Sequence, residues 1–284
     1  MINSKNAISG IPYGGGKAVV IADPAREKTH ELLRAMGDFV DSLKGRYITS
    51  FDSGTTLSDL SIIGERTSFV AGNLPGAGNA SATTAAGVYH CILAAMEMRT
   101  GRADIAGARI AIQGIGNVGG RLARMLAADG AQLILADIDD DAAQALASEL
   151  SAEVAPTDHV HQVAADVFSP CALGAVLSER TIAELGAKIV VGAANNQLAT
   201  RADDQRLADA DILYCPDYLA NAGGIVDLHY QRSKWDSERV DAHVRGLAHT
   251  FRAIVDQARM LRQGTTAIAD RIAEDRIRRR RRWK

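Results

Sequence analysis

The sequence lacks the features that would commit it to a membrane, a metal or a disulfide framework. Its three cysteines, Cys91, Cys171 and Cys215, are far apart and odd in number. They read as reduced thiols of a cytoplasmic protein, because stapled secreted domains carry paired cysteines at short spacing. No apolar run reaches membrane-spanning length, and no secretory leader is expected. The Asn79-Ala80-Ser81 sequon is therefore expected to carry no meaning. HExxH is absent, and His159 and His161 have no cysteine or acidic ligand at metal spacing. Both are expected at the surface, and no metal is expected. The formal net charge is −2 over 284 residues, which gives no general case for nucleic acid or a membrane surface. Arg276–Lys284 is the local exception. It reads as the solvated end of a helix, where cations suit the dipole, in preference to an RNA or lipid patch.

What is present is an ordinary globular balance, 47% hydrophobic and 23% charged, long enough for two domains. There are no repeats. Ala18–Ala22 predicts a strand. Glu27–Leu43 predicts an amphipathic helix with Leu32, Leu33, Met36, Phe39, Val40 and Leu43 on one side, and Tyr47–Phe51 a second strand. Gly72–Asn79 is a glycine-rich loop and Thr84–Met98 a long helix. From residue 109 strands and helices alternate: Arg109–Gln113, Gly120–Gly130, Gln132–Ala136, Ala142–Leu150, Val167-Phe168, Ile182–Leu185, Ile189–Val191 and Ile212–Tyr214. That alternation implies a parallel, doubly wound sheet covered on both faces. Arg239–Leu261 and Ala267–Arg282 are two closing helices, expected to fold back on the N-terminal part.

The sharpest motif lies inside the alternation. Gly114-Ile115-Gly116-Asn117-Val118-Gly119 follows the first strand of the series at once and opens a helix. Gly114 permits the tight turn, Gly116 lets the backbone approach a pyrophosphate, and Gly119 lets helix and strand pack closely. The helix N-terminus offers N–H groups and a positive dipole end to phosphates. Asp137 closes the next strand 18 residues after Gly119. There a carboxylate accepts hydrogen bonds from both ribose hydroxyls and repels a 2′-phosphate, so NAD is expected over NADP.

Gly14-Gly15-Gly16-Lys17 is a different glycine run. It is no phosphate-binding Walker loop, since Ile11 stands where that motif needs its first glycine and Ala18 where it needs Ser or Thr. The run instead lets a substrate approach the backbone and brings an ammonium near it. Lys5 lies 12 residues earlier. Two lysines by one pocket depress each other's pKa, which suits acid–base work near neutral pH. Alone, Lys17 reads first as an exposed lysine. Asp52, at the end of the Tyr47–Phe51 strand, reads equally as a turn-former and as a catalytic group at a strand end.

Five segments occur in order: Gly14–Lys17, Gly45–Thr49 with Asp52, Ser169–Gly174, Gly192–Leu198 and Asn221–Gly224. Together they closely resemble the glutamate/leucine/phenylalanine/valine dehydrogenase family, from about Lys5 to the C-terminal helices. The resemblance implies a Rossmann-type nucleotide domain and a substrate domain with the active site between them. It implies reversible oxidative deamination of an L-amino acid to a 2-oxo acid and ammonia. Residue by residue, Lys5 matches the lysine holding the substrate carboxylate, Lys17 the one activating water, and Asp52 the aspartate shuttling protons at the amino group. Thr84 matches a threonine on the nicotinamide amide. Asn195 and Asn221 match asparagines lining the cleft, with Ile138, Cys171, Ala172 and Ala194 also beside the cofactor.

The matched side-chain pocket would include Ser50, Ile225 and Leu228. It holds no lysine, which argues against a glutamate side chain. Leucine, valine or isoleucine is expected first, then phenylalanine or tryptophan. Gly76-Ala77-Gly78 with Thr83–Ala85 leans to the aromatic members, and Ala18–Pro24 with Gly45–Thr49 to the branched-chain ones. The expected layout is residues 1–90 as a partial substrate and dimerisation domain, 91–228 as the NAD-binding domain and 229–284 as helices returning to the first. The family's first sixty or so residues before Lys5 are expected to be missing, leaving an unpaired sheet edge and exposed apolar surface. A homo-oligomer is expected. A catalytically inactive NAD-binding or assembly subunit is the alternative. A hydroxy-acid dehydrogenase would need a histidine–carboxylate pair near the cleft, and none is placed for it.

Overall fold

A computed structural model describes residues 2–52, 54–72, 79–172, 174–233 and 236–281. The N-terminal part holds α1 (Ile2–Ile8), α2 (His30–Ser42), α3 (Leu57–Gly64) and the first half of α4 (Ala80–Thr100). Next come β1 (Arg109–Gln113), α5 (Gly119–Ala128), β2 (Gln132–Ala136), α6 (Asp140–Leu150), β3 (Glu153–Val154), β4 (Val167–Pro170) and α7 (Glu179–Ala183). The series continues through β5 (Ile189–Val190), α8 (Ala202–Asp209), β6 (Leu213–Tyr214), α9 (Asp217–Ala220) and α10 (Gly223–Arg232). It closes with α11 (Ser237–Leu261) and α12 (Thr265–Arg281).

The six strands form one parallel sheet in the order β3-β2-β1-β4-β5-β6. This is the doubly wound Rossmann arrangement, whose order reverses between β1 and β4. Strand alternation explains why both faces are buried. Ile110, Ile112, Leu133 and Leu135 join one core with α4, α5 and α11. Ala111, Ile134, Ala136 and Phe168 join a second on the opposite face, with Ile182 and Leu207. The period of two thus gives each face its own hydrophobic layer. α11 packs along α4, and α12 packs on α1, so the closing helices do return to the N-terminal part.

That part differs from expectation. Ala18–Ala22 forms no strand; Val19 is 80% and Ile21 99% exposed. Its β-branched residues satisfy local propensity, but a strand needs a neighbour, and among the described residues none pairs with it. Tyr47–Phe51 shrinks to a single parallel bridge, Thr49 with Val70. α2 starts at His30 because Thr29 caps it, its side chain accepting from Leu32 N. Leu33 packs with Leu60 and Ile63 of α3 and Val40 is buried, while Phe39 is exposed. Thr56 and Asp59 close a reciprocal capping box at the start of α3, a helix the hydrophobic pattern did not flag. Most of the Gly72–Asn79 loop, including Gly76-Ala77-Gly78, lies outside the described residues, as does the end of the arginine-rich tail.

Candidate active site

The nucleotide turn stands at the reversal point, at the carboxyl ends of β1 and β4. Gly114 has φ +91°, and a Cβ there would lie 2.7 Å from Ala172 N. A Cβ on Gly119 would collide with Gly114 O. Both glycines are therefore demanded by close packing. Gly116 is demanded by no described residue: a Cβ there would meet none of them within 4 Å. Its backbone therefore faces open space. α5 has no side-chain cap, so a phosphate at its start meets no competing acceptor from a capping residue. Asp137 is already oriented, with Oδ2 accepting from Ile115 N at 2.7 Å and Oδ1 from Asp139 N at 3.1 Å. Asn117 is exposed, Val118 half-buried, and Ile138 beside Asp137 is 94% exposed. Cys171 is fixed through its backbone to Gln113 O at 2.7 Å, and burial pushes its thiol up, so it is no activated nucleophile. Ala194 N donates to Pro170 O at 2.9 Å.

Across from this turn, α1 presents Lys5. Its Nζ donates to Asn195 Oδ1 at 3.3 Å. Asn221, just past α9, donates Nδ2 to the same oxygen at 2.9 Å and to Ala193 O at 3.0 Å. Burial lowers the Lys5 pKa; the charges of Asp217 and Asp52 pull it up, and Lys17 lowers it further. The mutual depression of the two lysines is thus a minor effect on Lys5. Asp217 is buried, which raises its carboxyl, while the Gln197 N–H at 3.0 Å and the Lys5 charge work against the rise.

Lys17 and Asp52 form an ion pair with side chains 56% and 59% exposed. Such an open pair adds only about 0–1 kcal/mol to stability. It is accessible to a small molecule. The glycine run owes its composition to close packing as well as to open backbone. A Cβ on Gly15 would come 2.5 Å from Asn3 N, and one on Gly16 3.0 Å from the Tyr47 ring. Asn6 Nδ2 donates to Gly14 O, and Tyr13 stands edge-on to His229 of α10 at 5.3 Å. These contacts hold Lys17 beside α1 and α10.

Gly223 and Gly224 explain how α10 meets α4. A Cβ on Gly223 would collide with Thr83 O, and one on Gly224 would be 2.7 Å from Thr84 Oγ1. Thr84 donates that hydroxyl to Ala80 O at 2.6 Å. The close crossing brings Thr84, Asn221 and Ile225 to one region. Leu228 and Phe51 both crowd Gly72, each 3.1 Å from its hypothetical Cβ, which joins Leu228 to the segment carrying Ser50. Ser50 Oγ is buried and has no hydrogen-bond partner among the described residues.

Sequence reasoning missed Asn6, Tyr13, Gln197 and Asp217. Gln197 Nε2 donates to Gly192 O at 2.9 Å and Ala194 O at 3.0 Å, pinning the turn that carries Asn195. Their signal was adjacency to the glycine and asparagine motifs. His161 was misplaced. It is 4% exposed, and its Nε2 lies 3.1 Å from Glu184 Oε2. Gln162 and Arg180 also donate to that carboxylate, so the pair is a structural cluster. His159 is exposed.

A dinucleotide turn at the reversal point of a parallel sheet, with Lys5 on α1 hydrogen-bonded to Asn195 and a Lys17–Asp52 pair on segments outside the helices and strands, defines a dehydrogenase. The Glutamate/Leucine/Phenylalanine/Valine dehydrogenase model matches residues 76–143 and 134–282, and the Glu/Leu/Phe/Val dehydrogenase dimerisation domain matches residues 1–69. The chain belongs to this family. It is 38% identical over 276 residues to leucine dehydrogenase of Bacillus cereus, covering 96% of this chain and 75% of that one. To L-tryptophan dehydrogenase of Nostoc punctiforme it is 40% identical over 274 residues. The crystal structure of that enzyme superposes with a TM-score of 0.86 over 99% of this chain and 81% of that one. Hetero-hexameric glutamate dehydrogenase from Thermus thermophilus, 21% identical, shares the fold with a TM-score of 0.76 over 96% of this chain and 75% of that one. The expected loss of substrate-domain sequence is corrected in one respect: the dimerisation domain is represented, by residues 1–69. Among the described residues no helix is long and apolar enough to cross a membrane.

Proposed function

We propose that the chain catalyses NAD-dependent, reversible oxidative deamination of a hydrophobic L-amino acid. The observation that carries this reading is the Lys17–Asp52 pair set near Lys5, which is itself hydrogen-bonded to Asn195 beyond β5. Residues 1–90 and 229–284 serve as the substrate side and residues 91–228 as the nucleotide side.

Lys5 receives the substrate carboxylate, and its hydrogen bond to Asn195 is the one a carboxylate replaces or shares. Asp52 takes the proton from the substrate ammonium, so the free amine faces it. NAD, when bound, supplies the acceptor for the hydride leaving Cα. Gly114, Gly116, Asn117, Val118 and Gly119 would hold its pyrophosphate, Asp137 and Ile138 its adenosine ribose, and Thr84, Cys171, Ala172, Ala194, Asn195 and Asn221 its nicotinamide half. Lys17, acting as the free amine after its proton has gone to solvent, deprotonates the water that attacks the iminium carbon, and the hydroxyl of the resulting carbinolamine later loses its proton to solvent as the 2-oxo acid forms. Asp52 then protonates the departing ammonia. Positioning of two reactants and general acid–base transfer supply the rate.

The acid side chain lies against Ile225 and Leu228, with Ser50 at one wall. No lysine is among these pocket residues to pair a second carboxylate. Leucine, valine and isoleucine suit this pocket first, and phenylalanine or tryptophan next. The two relatives named above at 38% and 40% identity act on leucine and tryptophan by their names, which supports that range. A homo-oligomer is the assembly we propose, in line with the dimerisation-domain match.

The test is NADH oxidation by the purified chain with ammonia and a panel of 2-oxo acids: 4-methyl-2-oxopentanoate, 3-methyl-2-oxobutanoate, phenylpyruvate, indolepyruvate and 2-oxoglutarate. Ammonia-dependent turnover that Lys17→Ala abolishes supports the reading and ranks the substrates. No turnover on any acid, with NADH still bound, overturns it in favour of a non-catalytic binder.

A further inference from the structure

α9 is a single turn, Asp217–Ala220, packed against α1. Its first residue, Asp217, is 7% exposed and carries a carboxylate that no step proposed above uses. The side chain reaches back to the turn that bears Asn195: Oδ2 accepts from Gln197 N at 3.0 Å. The Asp217 carbonyl accepts from Asn221 N at 2.9 Å. One residue therefore ties together the two segments whose asparagine side chains meet at Asn195 Oδ1, the oxygen to which Lys5 donates.

That bracing needs no charge. A short neutral acceptor such as asparagine or serine satisfies a backbone N–H at the start of a helical turn about as well as aspartate does. A buried carboxylate, by contrast, costs free energy unless it is hydrogen-bonded and answered by a cation. Burial raises the Asp217 carboxyl, while the N–H groups of Gln197, Tyr218 and Asn196 and the charge of Lys5 favour its ionised form. Tyr214, Cys215 and Tyr218 also face it. Burial, with the Asp217 charge added, pushes all three upward, so they stay neutral and offer no counter-charge.

The balance at Lys5 mirrors this. Burial lowers its pKa; Asp217 opposes the fall most, then Asp52, and Lys17 adds to it. The charged groups on the other elements packed on α1 sit elsewhere. Arg276 and Arg279 of α12 and His243 of α11 line the far turn of α1, around Ala7, Ile8 and Ser9. Asp270 of α12 accepts from Tyr218 Oη at 2.8 Å.

We propose that Asp217 is a positioning residue of the amino acid site: its carboxylate, braced by Gln197, keeps the Lys5 ammonium charged beside the two asparagines, ready for a substrate carboxylate. This role rests on the function proposed above.

The experiment reads the Lys5 amine directly and in turnover. Competitive labelling with acetic anhydride against free phenylalanine, from neutral to alkaline pH, reports the pH at which half of Lys5 is free amine. Peptide mass spectrometry reads the label. Asp217→Asn keeps an acceptor for Gln197 N–H and loses the charge. Its Lys5 midpoint should fall by about one unit, the lower end of what an opposite charge at close range does. The climb of the amino acid KM with pH should move down with it, while NADH affinity, and kcat below that climb, change little. A purely structural role would lower kcat and the melting temperature and leave the midpoint in place. An unchanged midpoint in folded Asp217→Asn, or a KM climb that does not follow the midpoint, overturns the proposal. If Asp217→Asn does not fold, Asp217→Ser takes its place, and failure of both to fold makes Asp217 a structural residue and overturns the proposal too. If the wild-type chain turns over no 2-oxo acid, the function proposed above falls, and the labelling midpoint alone decides whether Asp217 sustains the Lys5 charge.

Discussion

Asn195 accepts from Lys5: the ammonium on α1 lies 3.3 Å from an amide oxygen beyond β5, across 190 positions of sequence. Asn221 donates to the same oxygen. The amide orientation of Asn195 is thereby fixed from both sides. Asn195→Ala should raise the amino acid KM about tenfold, in keeping with the loss of one hydrogen bond to a charged group, worth about 1.5–3 kcal/mol. Affinity for NADH should change less. Steady-state kinetics with separate variation of the two substrates checks this, and equal loss for both would overturn it.

Lys17→Ala and Asp52→Asn should each lower kcat by about 10²–10⁴, the usual range for a general acid–base group. Because the pair is open to solvent, the melting temperature should stay within about 2 °C. A large fall in melting temperature would recast the pair as structural.

Burial lowers the Lys5 pKa from 10.5. Lysine is charged below its pKa, so Lys5 loses its charge at lower pH than an ordinary lysine does. The amino acid KM should therefore climb as pH rises while still below 10.5. In Lys5→Arg the charge persists, and the climb should flatten even if KM is higher throughout. Parallel profiles for the two enzymes would show that another group titrates.

Asp137→Ala should weaken NADH by roughly 10- to 100-fold, the cost of losing charged hydrogen bonds. NADPH should weaken less or improve, since the repelling carboxylate is gone. Fluorescence titration with each cofactor reads the ratio. An unchanged ratio would remove Asp137 from the ribose site.

Two helix glycines should respond with opposite signs. Gly223→Ala drives a methyl into Thr83 O and should cost about 2 kcal/mol or more, lowering the melting temperature by roughly 5 °C. Gly246→Ala meets no described residue within 4 Å and should raise it by about 2 °C. Thermal denaturation of both variants decides the matter.

The nucleotide half was legible because its strands are buried on both faces. Ile110, Ala111 and Ile112 are apolar without interruption, and Gly114 follows directly, so strand, turn and helix are marked in one stretch. The bounds of β1 and β2 follow from the sequence residue for residue. α8 was not legible: its first turn carries Asp203 and Asp204, which are buried for hydrogen-bonding reasons. Asp204 accepts from Thr266 N at 3.0 Å and Ala267 N at 2.9 Å, capping a helix 62 residues away. Local pattern cannot announce such a role. Ala18–Ala22 failed in the opposite way, since β propensity names a segment that suits a sheet without supplying the sheet. Lys5, Lys17, Asp52, Asn195 and Asn221 were legible through motif resemblance. Asp217 and Asn6, which shape their surroundings, lie beside motif residues in sequence, but their roles emerge from the packing.

Arg276 holds the carbonyls of Ala7 and Ile8, so the helix bearing Lys5 is secured by a helix near the far end of the chain. During synthesis the six-stranded sheet has all its strands once Tyr214 has emerged. α1 must wait for α12. Nascent protein should thus acquire a nucleotide turn well before it acquires the lysine side of the cleft. A ribosome-stalled chain ending before residue 265 would carry the first without the second, and such long-range closure is the slow kind of contact to form.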